Sequence, residues 1–396
     1  MFIFSRRWMQ RCIDELVSIL GEGPLQKLVD RLNRPDDGRL AAMWELVFLR
    51  CLAHAGHLRH EVPLPGGRFP DFEWTIASED ERLCVWGDVT TVSDSGLDAK
   101  NPVDHLSAEI TRLARKYGLN PNHFRYDVQG GRVGDYRKSS MELSLPDRPT
   151  LQRIIKSSVE PFVRHLAAAP SPAANFSCME EGASFTVGYD QSQMFAGGGH
   201  PSYDVAVSLR NNPIFRALKR KTEQLAGAPE DAIRLLILCD ADCASMSRQH
   251  VSATAYSSRA IAEDFLRQNR TIDLVLLATV VSASHGWQQR ELVPKFDLVA
   301  ARSGRRPARL NADSVAAVTI ALNRVLSVFP KPVLEPINAA RRCVERGYGN
   351  GMRGAYVNNK TIKISSRALL QLLAGEISRH FRTRTVGIGP RAAPGT

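Results

Sequence analysis

Three acids in this chain have the residue types and spacing for phosphodiester chemistry. Glu45 lies in the apolar run Met43-Trp44-Glu45-Leu46-Val47-Phe48, Asp71 in Pro70-Asp71-Phe72, and Asp88 in Gly87-Asp88-Val89-Thr90. Asp71 and Asp88 are 17 residues apart, a separation that two adjacent strands and a short connection can close. A hard divalent cation such as Mg²⁺ takes oxygen ligands from one or two such carboxylates and keeps several waters. A cation held there would offset charge on a scissile phosphate and lower the pKa of an attacking water. In this reading Asp71 and Asp88 bind Mg²⁺ or Mn²⁺. Glu45 completes the shell directly or through water, and the Val89 carbonyl is a further ligand.

The elements that must position these residues follow from hydrophobic periodicity. Residues 6 to 33 read as two short helices broken at Gly21-Glu22-Gly23-Pro24. A third helix runs from about Leu40 to Ala55, capped near Asp36-Asp37 and stopped by Gly56. It is apolar nearly all round, the mark of a buried helix, so Glu45 is an acid in an expensive place. Three strands are then expected, His60 to Leu64, Phe69 to Ile76 and Leu83 to Val92. Side chains alternate along a strand, so Trp86, Asp88 and Thr90 share one face while Val85, Gly87, Val89 and Thr91 share the other.

Further on, a helix is predicted over Asp104 to Tyr117 and another near Leu151 to Ala168. Strands are predicted at Met141 to Leu145, Ser184 to Tyr189 and Tyr203 to Leu209, and a flexible link at 167–174. Pro213 to Leu225 reads as a basic helix, Ile233 to Cys239 and Ile272 to Val281 as buried strands, Ser257 to Gln268 and Ala312 to Val328 as helices, and Ser365 to Phe381 as a last one. Helices alternating with buried strands indicate an α/β sheet.

The order of helical acid, Pro-Asp and Asp-x-Thr resembles the core of a PD-(D/E)XK nuclease over residues 40 to 92, with Glu45 as the helical acid, Pro70-Asp71 as the PD pair and Asp88-Val89-Thr90 as the (D/E)XK triplet. The run Trp44-Glu45-Leu46, Gly56, Glu61 and Pro70-Asp71-Phe72 is similar to bacterial members of that family. The resemblance implies a mixed central sheet flanked by helices, a restriction-endonuclease-like core, and metal-dependent cleavage, usually of DNA. It implies a setting in restriction or antiviral defence, with partner proteins of such a system. One position departs from the pattern. The family lysine supplies a cation that orients water and stabilises the transition state, and Thr90 carries no charge.

Some members place a lysine and a downstream glutamine on the helix after the catalytic strand. Lys221 and Gln224, three apart on one helical face, fit that description. In that case residues 94–211 form a large insertion; Lys100 is the second source of charge by proximity. The domain plan is then a helical segment over 1–38, a core over 39–300 carrying the insertion, and a basic helical region with a disordered tail over 301–396.

Other readings of these residues stay open. Asp71 could only begin a strand, Asp88 sit at a bulge, and Glu45 pair with Arg50 or His54. Lys219, Arg220 and Lys221 could be a solvated or phosphate-contacting face, in which Lys219, Arg220 and Lys221 bind nucleic acid. Glu61 extends the site or faces water, and Asp240 and Asp242, at the end of a buried strand where α/β folds often bind ligands, read as a strand-terminal turn. Gly197-Gly198-Gly199-His200 reads as a loop without the Lys-Ser/Thr of a P-loop. Cys239, Cys243 and His250 could be forced into a zinc site, but the second half of a ligand set is missing. The whole chain could keep a nuclease fold without catalysis, as a nucleic-acid-binding or assembly module.

Composition narrows the class. The net charge of +11 favours polyanionic partners, DNA first and RNA second, because neutralised phosphates release counterions. Much of the excess lies toward the C-terminus, in Arg341, Arg342, Arg346, Arg353, Arg379, Arg382 and Arg384. No apolar stretch approaches the ~20 residues a bilayer crossing requires, so no membrane partner is expected. Seven scattered cysteines suit reduced core thiols and a cytoplasmic protein better than a disulfide framework. Homo-oligomers remain compatible with all of this.

Overall fold

The computed structural model describes residues 4–34, 38–77, 82–135, 138–169, 171–247, 255–285, 289–301 and 310–332. Residues 333–396, with the C-terminal arginines and the helix predicted at 365–381, and His250 lie outside the described residues.

A buried helix and a strand meander come first, as the hydrophobic pattern requires. Helices α1 (Arg6–Leu20) and α2 (Glu22–Asn33) precede α3 (Gly38–Ala55), and strands β1 (His57–His60), β2 (Phe72–Ala77) and β3 (Arg82–Val92) follow. The first strand lies earlier than the expected His60 to Leu64, because Glu61 adopts a positive φ of 47° and takes the chain out of extended conformation. Next come α4 (Ser95–Lys100), α5 (Val103–Lys116), β4 (Phe124–Val128), β5 (Gly130–Val133), β6 (Ser140–Leu143), α6 (Arg148–Ile154) and α7 (Glu160–Ala168), the last two joined by one π-helical turn. Then β7 (Ala173–Glu180), β8 (Ala183–Asp190) and β9 (Gly197–Gly199) lead into α8 (Pro213–Leu225). Strand β10 (Ile233–Asp240), α9 (Ala244–Ser247), α10 (Ser258–Gln268), β11 (Leu274–His285), β12 (Gln289–Ala300) and α11 (Ala312–Ser327) complete the described chain.

Six strands form a mixed sheet in the order β1-β2-β3-β10-β11-β12. The meander is antiparallel, β3 and β10 are parallel, β10 and β11 are parallel, and β12 closes the edge antiparallel to β11. Helices cover both faces of this sheet. Under α1, α2, α3 and α11 lies one apolar cluster that takes Val85 and Val89 of β3 with Leu235 and Ile237 of β10. Under α8 and α10 lies a second, with Trp86 and Val92 of β3 and Leu236 and Leu238 of β10. The two-residue period of β3 thus sends successive side chains into different cores.

Residues between β3 and α8 build a core of their own from α5, α6, α7 and a four-stranded sheet of order β7-β8-β4-β9. The stretch expected to be a flexible link ends α7 and enters β7. The run Tyr203 to Leu209 is not a strand; Tyr203, Ala206 and Val207 are buried by packing of an irregular segment. The triple glycine forms β9, parallel to β4, where a Cβ on Gly198 would fall 2.0 Å from the Tyr126 ring.

Gly87 is the tightest point of the central sheet. A Cβ there would lie 2.2 Å from Phe72 Cζ and 2.6 Å from the Leu235 carbonyl oxygen. Gly87→Ala must therefore move either a buried ring or the β3–β10 ladder, an overpacking that costs about 1–3 kcal/mol or more. The expected result is a lowered urea midpoint with an unchanged m-value, and a midpoint equal to that of the parent would overturn this account of the contact.

Candidate active site

The register of β2 on β3 decides where the acids meet. Phe72 pairs with Gly87, so Asp71, one residue before β2, stands opposite Asp88. The Val89 N–H donates to Asp71 Oδ2 at 2.7 Å, which locks the first acid onto the backbone beside the second. Asp88 is fully buried and points with Thr90 toward the α8 face, since Trp86 and Val92 on the same alternation enter the α8 core. Thr90 is 5% exposed and pairs with Leu238 of β10.

A lysine arrives from far along the chain. Asn212 caps α8 by accepting from the Phe215 N–H at 2.8 Å, with Pro213 in the first turn. The buried stripe of α8 runs Ile214, Ala217, Leu218 and Leu225, and Lys221 lies on the same helical track, where an apolar side chain would ordinarily sit. Its Nζ donates to Asp88 Oδ1 at 3.1 Å. The Asp88 Oδ2 atom is buried without a hydrogen-bond partner among the described residues, as is Gln224 Oε1 one turn further along α8. Lys100, at the end of α4, is exposed. Lys219 and Arg220 also face solvent, beside the site on α8.

Glu45 approaches from the opposite side of the sheet. It is 5% exposed on α3, and its partners are not Arg50 or His54, which both bind Glu15. Instead Arg31 of α2 donates to Glu45 Oε2 at 2.9 Å, and His60 Nε2 of β1 lies 3.8 Å from Glu45 Oε1. Asp71 immediately precedes β2, and acids from both faces of the sheet act on its carboxyl. Burial raises the Asp71 pKa well above the usual carboxylate range, Glu45 and Asp88 raise it further, and Lys221 and the Val89 N–H oppose them. Asp88 is raised as well, chiefly by burial, against the pull of Lys221 and of hydrogen bonding with Asp71.

No protein-family model, curated protein or solved structure matches the chain. Its chemistry is therefore read from these side chains. A desolvated pair of acids whose charges oppose each other, with one free carboxylate oxygen, is a donor set suited to a hard cation. Among the described residues no three or more His, Cys, Asp or Glu side chains converge as a metal-holding group. The fit is to a cation bound by two carboxylates and otherwise by water or substrate oxygens, not to a closed protein cage.

The remaining sequence candidates separate from this centre. Cys239 packs under α3 and Cys243 under α8, on opposite faces of the sheet, and burial raises both thiols, so the two do not form a zinc half-site. Asp240 Oδ1 accepts from the Asp242 and Cys243 N–H groups, a strand-terminal turn. Glu61 pairs with Lys27 at 3.8 Å instead of facing only water. Arg31 and His60 were missed in the sequence. The one signal for His60 is that it falls on the same strand face as buried Leu58.

Proposed function

We propose that the protein is a metal-dependent nuclease hydrolysing phosphodiester bonds of DNA, built on a divergent restriction-endonuclease-like core. The observation that carries the reading is the contact of Lys221 with Asp88, which returns a cation to the face where Thr90 replaces the family lysine. Asp71 and Asp88 would hold Mg²⁺ or Mn²⁺, with Glu45 nearby. The bound cation supplies Lewis-acid activation of water and offsets phosphate charge. Lys221 would steer the nucleophile and stabilise charge developing on the phosphate. The apolar core under α8, on the Asp88 face of β3, lowers the local dielectric and strengthens these interactions. Lys219 and Arg220, exposed on the same helix, would contact flanking phosphates. A cytoplasmic role in defence against foreign DNA follows from the family resemblance alone.

Purified protein incubated with plasmid and with short RNA, with and without Mg²⁺ or Mn²⁺, tests the reading. Cleavage of plasmid is expected only with metal and is lost in Asp88→Ala. Cleavage that survives Asp88→Ala would falsify the site assignment. Salt-sensitive DNA binding without cleavage under any metal would instead establish the non-catalytic binding module.

A further inference from the structure

His60 is the buried polar side chain that the proposed chemistry leaves without a task. Its side chain is 3% exposed, and neither ring nitrogen has a hydrogen-bond partner among the described residues. A buried donor without a partner is unfavourable, so its place beside an acid of the candidate site asks for a reason. His60 is the last residue of β1, in register with Phe72, and the next N–H along, that of Glu61, donates to the Asp71 carbonyl at 3.5 Å. The imidazole thus hangs from the segment hydrogen-bonded to the one that carries Asp71. Leu58, two residues earlier on the same strand face, enters the core beneath α3, so the His60 ring lies under α3 beside Glu45.

We propose that His60 is a positioning residue that fixes the Glu45 carboxylate in the working centre. Glu45 has two oxygens to orient. Arg31 holds Oε2 at 2.9 Å, and Oε1 faces His60 Nε2 at 3.8 Å, ~0.8 Å beyond a normal hydrogen bond. A small rotation of either side chain closes that gap, with the imidazole donating through its Nε2–H. Both carboxylate oxygens are then tethered, which fixes the position of the charge that acts on Asp71. Metal centres commonly orient a liganding or water-holding group through such an outer partner, and removing the partner costs 10–100-fold in affinity or activity. The inference rests on the nuclease reading.

The test compares His60→Phe, which fills the space without nitrogen, with His60→Asn, which keeps a donor amide, each alone and combined with Glu45→Gln. The readouts are Mn²⁺ affinity, from the free-ion EPR signal during titration with Mn²⁺ alone, and kcat and KM on plasmid. A merely structural role would move neither affinity nor the kcat-against-KM split in a variant of unchanged melting temperature. His60→Phe is expected to weaken Mn²⁺ binding and lower kcat about 10–100-fold with KM held. His60→Asn should recover part of the loss, and His60→Phe should add nothing further in the Glu45→Gln background. Wild-type behaviour of His60→Phe, or losses that multiply with those of Glu45→Gln, would overturn the positioning role while the nuclease reading stands. A parent protein that neither binds Mn²⁺ nor cleaves overturns the nuclease reading, and this inference with it.

Discussion

Lys221→Met is expected to lower metal-dependent cleavage about 10²–10³-fold, the usual cost of removing one preorganised charge from a transition state. Methionine keeps an unbranched apolar stem, so the α8 stripe of Ile214, Ala217, Leu218 and Leu225 remains packed. What disappears is the ammonium 3.1 Å from Asp88 Oδ1. Removing one partner of a buried ion pair costs about 3–5 kcal/mol when the other stays ionised. Here burial already pushes the Asp88 pKa upward, so the carboxyl of the variant takes up a proton and avoids much of that cost. Melting curves recorded beside kcat/KM on plasmid separate lost chemistry from lost folding. Placing a lysine where the nucleases that the chain resembles carry theirs provides the sharper control. Thr90 shares the α8-facing side of β3 with Asp88, so Thr90→Lys in the Lys221→Met background should regain a measurable share of the rate. A Lys221→Met protein as active as its parent would remove this lysine from the site.

The short-range parts of this arrangement were legible in the sequence, and the long-range parts were not. Alternation along Leu83 to Val92 placed Asp88 and Thr90 on one face because a strand has a period of two whatever its neighbours are. Lys221 was singled out from the resemblance, with Gln224 three residues on, and the helical period explains why it points inward. With a period of 3.6, a lysine seven residues after Ile214 and four before Leu225 interrupts an apolar stripe, and a charge in such a place needs a partner. That the partner is Asp88 depends on β10 inserting beside β3, a parallel pairing over nearly 150 residues that no local pattern encodes. Strand β12 was overlooked because Pro294 and the charges of Arg290, Glu291 and Lys295 hide an edge strand, where proline and charge are tolerated. Arg31 and His60 reach Glu45 from α2 and β1, across helix and sheet packing. Their roles are invisible until those elements are docked.

Asp71→Asn is expected to raise stability at neutral pH while reducing cleavage at least about a thousandfold, more than the loss of any single supporting charge. Asparagine can still accept the Val89 N–H through its amide oxygen, so the tie to β3 survives. The change removes a charge on a partly buried residue that faces Glu45 and Asp88. The sign follows from proton linkage. The folded-state pKa of Asp71 is raised, so the native protein holds this proton at pH values where the unfolded chain has released it. The parent therefore loses stability as pH rises from the unfolded carboxyl value, about 3.9, through the raised folded one. The variant has no such loss at this position. Its advantage in melting temperature should amount to several degrees at pH 8 and shrink toward pH 4, where both side chains are uncharged. Mn²⁺ should stabilise the parent by occupying the native state, and should leave the variant nearly unmoved. A variant less stable than its parent at pH 8, or a gap that widens toward acid, would mean that Asp71 is ionised and well paired in the native protein. The acids would then be a structural ion-pair network, whereas a strained, repulsive pair relieved by its ligand is the state in which a site gives up stability to keep a function.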